Sequence, residues 1–228
     1  VIARKQLHRS LFGEQHPFGR FAQASDYDRI TPDVLREFYR KYYHSGNCSV
    51  YVSGKVTPEI IRCIETNLGD TPSGEIRQMP LLELIAPQQT TEKHVFVEKA
   101  DALQSSLKMG GFMMDRNHPD FLKARVMVTL FGGYFGSRLM SNIREDKGYT
   151  YGIGAGIVNC PGSGVLAITT EADNQYIDAI ITEVYREMDR MCNDLAPQEE
   201  LEMVRSYMLG DFSRSYEGPF SLSEAWIY

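Results

Sequence analysis

The sequence predicts an α+β fold, and three observations carry that prediction. From His94 onward the signals run strand, strand, long helix, strand hairpin, helix, helix. At Gly148 the apolar period changes from helical spacing to strict alternation. Earlier in the chain, Thr31-Pro32-Asp33 and Thr57-Pro58-Glu59 each combine an N-cap, a proline at the first helical position and an acidic first turn.

Composition bounds the rest. With 228 residues, 43% hydrophobic and 24% charged, the chain is long enough to bury a sizeable core, as one large domain or two small ones. The net charge is −6 and the charges are well mixed, so no basic stripe exists to neutralise phosphates; nucleic acid is not an expected partner. Cys48, Cys63, Cys160 and Cys192 lie far apart without CxxC or CxH spacing, which predicts buried thiols in place of a zinc knuckle or a disulfide scaffold. No apolar run approaches the roughly 18 residues of a membrane span. The chain opens on Val1, so its natural start is missing and its localisation is unreadable.

In chain order, residues 1–28 read as a short helix followed by the loop carrying HPFGR. His8, Glu14 and His16 are drawn there as a metal set and rejected, because turn residues intervene and the three share no helix face. The helix opened by Thr31 puts Val34, Leu35, Phe38 and Tyr42 on one face. Residues 48–55 alternate as a strand, and the helix opened by Thr57 buries Ile60, Ile61 and Ile64. The proline-rich residues 70–89 read as an extended linker with a domain boundary near Ala86. Residues 94–98 and 103–112 are expected strands, the second with Leu103, Ser105, Leu107 and Met109 on one side. A helix with a Leu122, Val126, Leu130 stripe then ends at Gly132-Gly133.

The stretch from Phe131 to Gly156 organises the remainder. Leu139, Met140 and Ile143 form one apolar stripe, with Ser137 placed to cap the helix start and Gly148 its stop. Beyond Gly148, alternation puts Tyr149, Tyr151, Ile153, Ala155 and Ile157 on one strand face, and Thr150, Gly152, Gly154 and Gly156 on the other. Three glycines on one face weaken a strand, so something is expected to approach that backbone closely, either another chain or a helix of the same domain. Pro161-Gly162-Ser163-Gly164 turns this strand into a second one over residues 165–171. Two helices follow, with stripes Ile177, Ile180, Ile181, Val184, Met188, Met191 and Leu201, Val204, Met208; their methionines read as core filling. The Gly132 to Gly136 cluster follows a helix and lacks the Lys-Ser/Thr ending of a phosphate loop, which excludes a nucleotide site.

The run GGYFGSRLMSNIREDKGYTYG resembles the signature of the second domain of pitrilysin/insulinase-type zinc metallopeptidases, with Gly132, Gly133, Ser137, Arg138, Leu139, Arg144, Glu145, Gly148 and Tyr151 in place. HPFGR, the helix ending in YRKYY, Asn47 and the G-x-V-T-P turn resemble the close of the first domain of that family. The resemblance implies a mostly antiparallel sheet with helices packed on one face. It divides the chain into residues 1–85, the closing part of a first domain, and 86–228, a second domain without its last elements. It also implies that Arg144 and Tyr151 are substrate-binding residues that face a zinc site across a chamber. Chemically, a tyrosine hydroxyl can donate to a carbonyl oxygen that gains charge during hydrolysis, and a guanidinium offers fixed charge and forked donors. On the residues alone, Arg144 paired with a carboxylate and Tyr151 packed in the hairpin is the preferred arrangement.

The HxxEH zinc helix of active members is absent: His8, His16, His44, His94 and His118 include no two that are four apart. No catalytic residue, metal ligand or cofactor is therefore expected in this chain; zinc is implied for the parent protein or its partner, and the chain alone is expected to be inactive. Two readings stay open. The chain is the substrate-binding C-terminal portion of a zinc metalloendopeptidase, partnered by peptide substrate and the missing catalytic domain. Alternatively, it belongs to a non-catalytic, substrate-gripping subunit that pairs with a homologous catalytic subunit. A purely structural role needs no substrate-facing Arg144/Tyr151 pair.

Overall fold

The structure, a computed structural model, describes residues 1–69 and 86–227, so residues 70–85 of the expected linker lie outside the described residues. The chain divides into two compact units, Val1–Phe21 with Ala86–Met208, and Ala22–Ile85 with Leu209–Tyr228.

The first unit is built on a three-stranded antiparallel sheet in the order β1-β3-β2, with β1 at Ser105–Met113, β2 at Thr150–Cys160 and β3 at Ser163–Ala172. The expected hairpin is present: Cys160 pairs with Ser163 across Pro161 and Gly162, and Gly162 takes φ +76°, the left-handed value that a tight Pro-Gly turn requires. On one face lie α4 (Phe121–Val128) with its extension Thr129–Gly133, the segment Met140–Asp146, and α5 (Ile177–Asn193). Their side chains Val128, Phe131, Leu139, Ile143, Ile180 and Val184 close on Ile153, Ala155, Ile168 and Ala172. Each large side chain buried here contributes about 1.5–3 kcal/mol of transfer free energy. Met188 and Met191 pack against the same core as filling. On the opposite face, α1 (Ile2–Phe12) seats Leu11 and Phe12 on Cys160 and Val165, with Phe112 of β1 edge-on to Phe12 at 5.2 Å between ring centroids. α6 (Gln198–Ser215) contributes Val204 to this unit, fully buried, whereas Leu201 of the same expected stripe is exposed.

Several expectations of detail are corrected. Residues 94–98 are in no ladder among the described residues, and Val95, Phe96 and Val97 are exposed; alternation specifies two faces, but a strand also needs a partner edge for its N–H and C=O groups. In α4 and its extension the buried apolar side chains are Ala124, Val128, Leu130 and Phe131, whereas Leu122 is 68% exposed and Val126 faces out. The winding widens to π-helical from Thr129, which shifts the phase and breaks the stripe that joined Leu122 to Leu130. Ser137 is buried, and its hydroxyl is without a hydrogen-bond partner, so it caps nothing; its carbonyl starts the helix by accepting from Ser141 N–H at 2.9 Å. Of the cysteines, Cys160 alone is buried, and burial raises its thiol pKa; Cys48, Cys63 and Cys192 are exposed and all four are free.

In the second unit, α2 (Pro32–Tyr42) and α3 (Pro58–Ile64) start where the prolines place them, and Thr31 Oγ1 accepts from Val34 N–H at 3.3 Å. α7 (Pro219–Ile227) follows Gly218, whose φ is +90°. The apolar face of α2, Val34, Leu35, Phe38 and Tyr42, stands open to solvent. Residues 48–55, expected as a strand, are also unpaired among the described residues. Ser53 hydroxyl bonds the Pro219 carbonyl, and Val50 and Val52 are exposed.

Candidate functional site

The site forms where the segment after Gly132 meets the start of β2. Gly132 lets helix and strand touch: a Cβ on it would stand 2.6 Å from Ala155 Cβ and 2.7 Å from Ala155 N. The chain then turns through Tyr134, Phe135 and Gly136 into a helical segment that winds to Asp146. Leu139, Met140 and Ile143 point into the core, which leaves Arg144 at the rim.

A buried polar network fixes that segment from below. Asn142 Nδ2 donates to Glu187 Oε1 at 2.7 Å and to Glu183 Oε2 at 3.1 Å, while Lys147 Nζ donates to Asn142 Oδ1 at 2.7 Å. Arg138 grips Glu200 in a fork, with Nε and Nη2 each 2.8 Å from a carboxylate oxygen. Burial pushes the Glu183 carboxyl up, but the Asn142 amide, Lys147 and Arg186 together hold it below the ordinary carboxylate range. The sequence pattern did not show this layer, because Glu183 and Glu187 sit four apart inside an otherwise apolar stripe.

At Gly148, φ +66° stops the segment as expected, and Tyr149 stacks on Tyr176 with centroids 5.0 Å apart. Then a β-bulge intervenes: Thr150 pairs with Ala172 and Ile153 with Thr170, so β2 spends three steps where β3 spends two. Thr150 Oγ1 pins the bulge, accepting from Gly152 N–H at 3.2 Å and lying 2.8 Å from Thr170 Oγ1. The extra residue reverses the alternation. Ile153, Ala155 and Ile157 keep the core face, but Tyr151, expected beside them, is turned outward and is 91% exposed.

That reversal brings Tyr151 to Arg144. The guanidinium carbon of Arg144 lies 4.6 Å from the Phe135 ring centroid and 5.6 Å from that of Tyr151. The carboxylate within 4 Å of it is Glu145 at 3.8 Å, too far for a hydrogen bond. Of the arrangement preferred from the residues alone, the carboxylate pair is present as the 3.8 Å contact with Glu145, while the guanidinium lies on aromatic rings and Tyr151 is outside the hairpin core. Phe135, 63% exposed, is the member that sequence reasoning missed. Its signal was an aromatic residue in a glycine-flanked loop, a position with no core to fill.

The glycine face of β2 is bare among the described residues. A Cβ on Gly152 or Gly156 would meet nothing within 4 Å, and one on Gly154 would meet Gly132 O at 3.4 Å. The intimate backbone contact is therefore made by Gly132 against Ala155, not by the strand glycines.

Among the described residues no group of three or more His, Cys, Asp and Glu side chains is disposed to hold a metal ion. The rejected trio is otherwise engaged. His8 Nδ1 is 3.1 Å from Phe18 O, buried His16 accepts the Phe18 N–H at Nδ1, and Glu14 pairs with Arg9 at 3.2 Å. The donor set does not fit a zinc ion, and dialysed protein is expected to carry less than stoichiometric zinc by metal analysis. One tightly held zinc per chain would contradict this. Among the described residues, no helix is long and apolar enough to cross a membrane.

A family model described as the peptidase M16 inactive domain matches residues 29–208. An uncharacterized zinc protease of Rickettsia bellii is 25% identical over 222 residues, 95% of this chain and 51% of the relative. The non-peptidase homolog YmxG of Helicobacter pylori is 25% identical over 156 residues, covering 67% of this chain and 35% of its own length. The chain thus spans about half, or less, of the length of these curated relatives. A solved peptidase M16 inactive domain from Pseudomonas fluorescens superposes with TM-score 0.72 at 22% identity, over 93% of this chain and 51% of that one, which is similarity of fold.

Proposed function

Because this chain belongs to the family of peptidase M16 inactive domains, we propose that it is the substrate-binding C-terminal portion of a zinc metalloendopeptidase whose zinc site lies on other residues of the protein or on a partner. The observation that carries this reading is the placement of Arg144 and Tyr151 side by side, the half-buried arginine without a hydrogen-bonded carboxylate among the described residues and the exposed tyrosine outside the core. The guanidinium packs on the aromatic rings by its face only, so its N–H edge and the Tyr151 O–H are left as donors for an incoming acceptor. The peptide lies extended along the outer edge of β2 beside the bare Gly152, Gly154 and Gly156 face, its main chain pairing with the strand and its alternate side chains selecting pockets. Tyr151 donates to the scissile carbonyl oxygen as negative charge develops there, and Arg144 holds peptide carbonyls or a carboxylate by charge and forked donation.

The test belongs in the full-length protein or its two-subunit complex. Tyr151→Phe is expected to lower turnover by about tenfold or more with little change in peptide affinity, as for one lost oxyanion donor. Arg144→Ala is expected to weaken both. Unchanged turnover and unchanged affinity in both variants, with folding intact, would remove the pair from the site. A second reading follows from the Helicobacter pylori relative named a non-peptidase homolog: the parent is a substrate-gripping subunit that pairs with a homologous catalytic subunit. In that case Arg144→Ala still weakens peptide binding, while turnover appears only when the catalytic subunit is added. An HxxEH motif in the preceding part of the parent sequence would favour the first reading over the second.

A further inference from the structure

We infer that Phe135 is a positioning residue of the same site: its ring holds the Arg144 guanidinium in register with Tyr151. The inference rests on the substrate-binding role proposed for that pair but is testable apart from it. The ring is well exposed, so the hydrophobic effect does not explain a phenylalanine there. What the ring does contact is Arg144, at 4.6 Å, closer than the 5.6 Å to Tyr151. An arginine side chain has four rotatable bonds, and Arg144 has no hydrogen-bonded carboxylate among the described residues, so without the aromatic face it would sweep a wide arc at the rim. Planar guanidinium on a planar ring restricts that arc while leaving the N–H edge free to donate, which is the requirement for gripping a peptide carbonyl. The backbone supports the placement. Phe135 sits in the turn between Tyr134, whose ring packs on Tyr207 at 5.1 Å, and Gly136, where a Cβ would stand 3.0 Å from the Tyr134 ring. The turn is thus held on both sides of the residue that carries the exposed ring.

Two measurements test this. In the isolated chain, the δ-methylene protons of Arg144 should show an upfield ring-current displacement by NMR. Phe135→Leu should remove most of it and Phe135→Tyr should keep it, with thermal melting unchanged in both because the side chain is outside the core. In the full-length protein or its two-subunit complex, Phe135→Leu should weaken peptide affinity about two- to fivefold, the size of one exposed cation–π contact, and Phe135→Tyr should restore it. Combined with Arg144→Ala, Phe135→Leu should add nothing. An Arg144 resonance indifferent to Phe135→Leu would overturn the inference, as would a full additional loss in the Arg144→Ala background. If Arg144→Ala and Tyr151→Phe are themselves silent in the peptide assays, the substrate reading fails, and the resonance alone decides whether Phe135 positions Arg144.

Discussion

Asn142→Leu is expected to lower the unfolding free energy by about 3–5 kcal/mol, the cost of removing the donor from buried carboxylates. Glu187 is 1% exposed and its Oε2 has no partner, so the Asn142 amide and Arg190 carry its satisfaction. Leucine keeps asparagine's branching at Cγ and is somewhat larger, so no cavity is left to account for the loss. The effect should depend on pH with a definite sign. Glu183 has its folded pKa depressed, so its contribution is complete above the unfolded carboxylate pKa of about 4.3 and is lost as pH falls through the lower folded value. Urea denaturation of the wild-type chain should therefore weaken from about pH 5 downward. Asn142→Leu should flatten that dependence, because part of what lowers the pKa is gone. An equal slope in both proteins would show that Lys147 and Arg186 suffice.

Gly132→Ala should cost about 3 kcal/mol, at the upper end of overpacking effects, because the new methyl group would meet backbone as well as side chain. Ala155→Gly in the same chain should recover part of the loss, by removing one of the two atoms in conflict, but not all, since Ala155 N remains in place. Thermal melting of the wild type and the two variants measures both effects. A Gly132→Ala protein as stable as wild type would mean that α4 and β2 slide apart without cost, which the closed packing of Phe131, Leu139 and Ile153 argues against.

The parts of this fold legible in the sequence are those written in local chemistry. Pro32, Pro58 and Gly148 mark helix ends because φ and the missing N–H act at their own positions, and Pro161-Gly162 marks the hairpin for the same reason. The residues that could not be read depend on what lies across from them. Residues 48–55 and 94–98 alternate correctly but have no neighbouring strand among the described residues. Glu183 and Glu187 are invisible to an apolar stripe, although Asn142, Lys147, Arg186 and Arg190 make their burial tolerable. Parity puts Tyr151 on the face of Ile153 and Ala155, and one residue inserted opposite Glu171 reverses parity without any change in composition. Arg144 and Tyr151 were singled out by motif; their proximity depends on the bulge, and Phe135 entered only through distance.

The open face of α2 has a practical consequence for the purified chain. Val34, Leu35, Phe38 and Tyr42 offer a continuous apolar strip on a helix that is otherwise well formed and capped. A hydrophobic dye such as ANS should bind there, and its fluorescence should rise with the protein fully native. Dye binding, ordinarily taken as a mark of a partly molten protein, would here report a folded surface. Near-UV circular dichroism of the aromatic core around Tyr149 and Tyr176 is the measurement that tells the two states apart, and storage at low concentration would slow the self-association that such a strip invites.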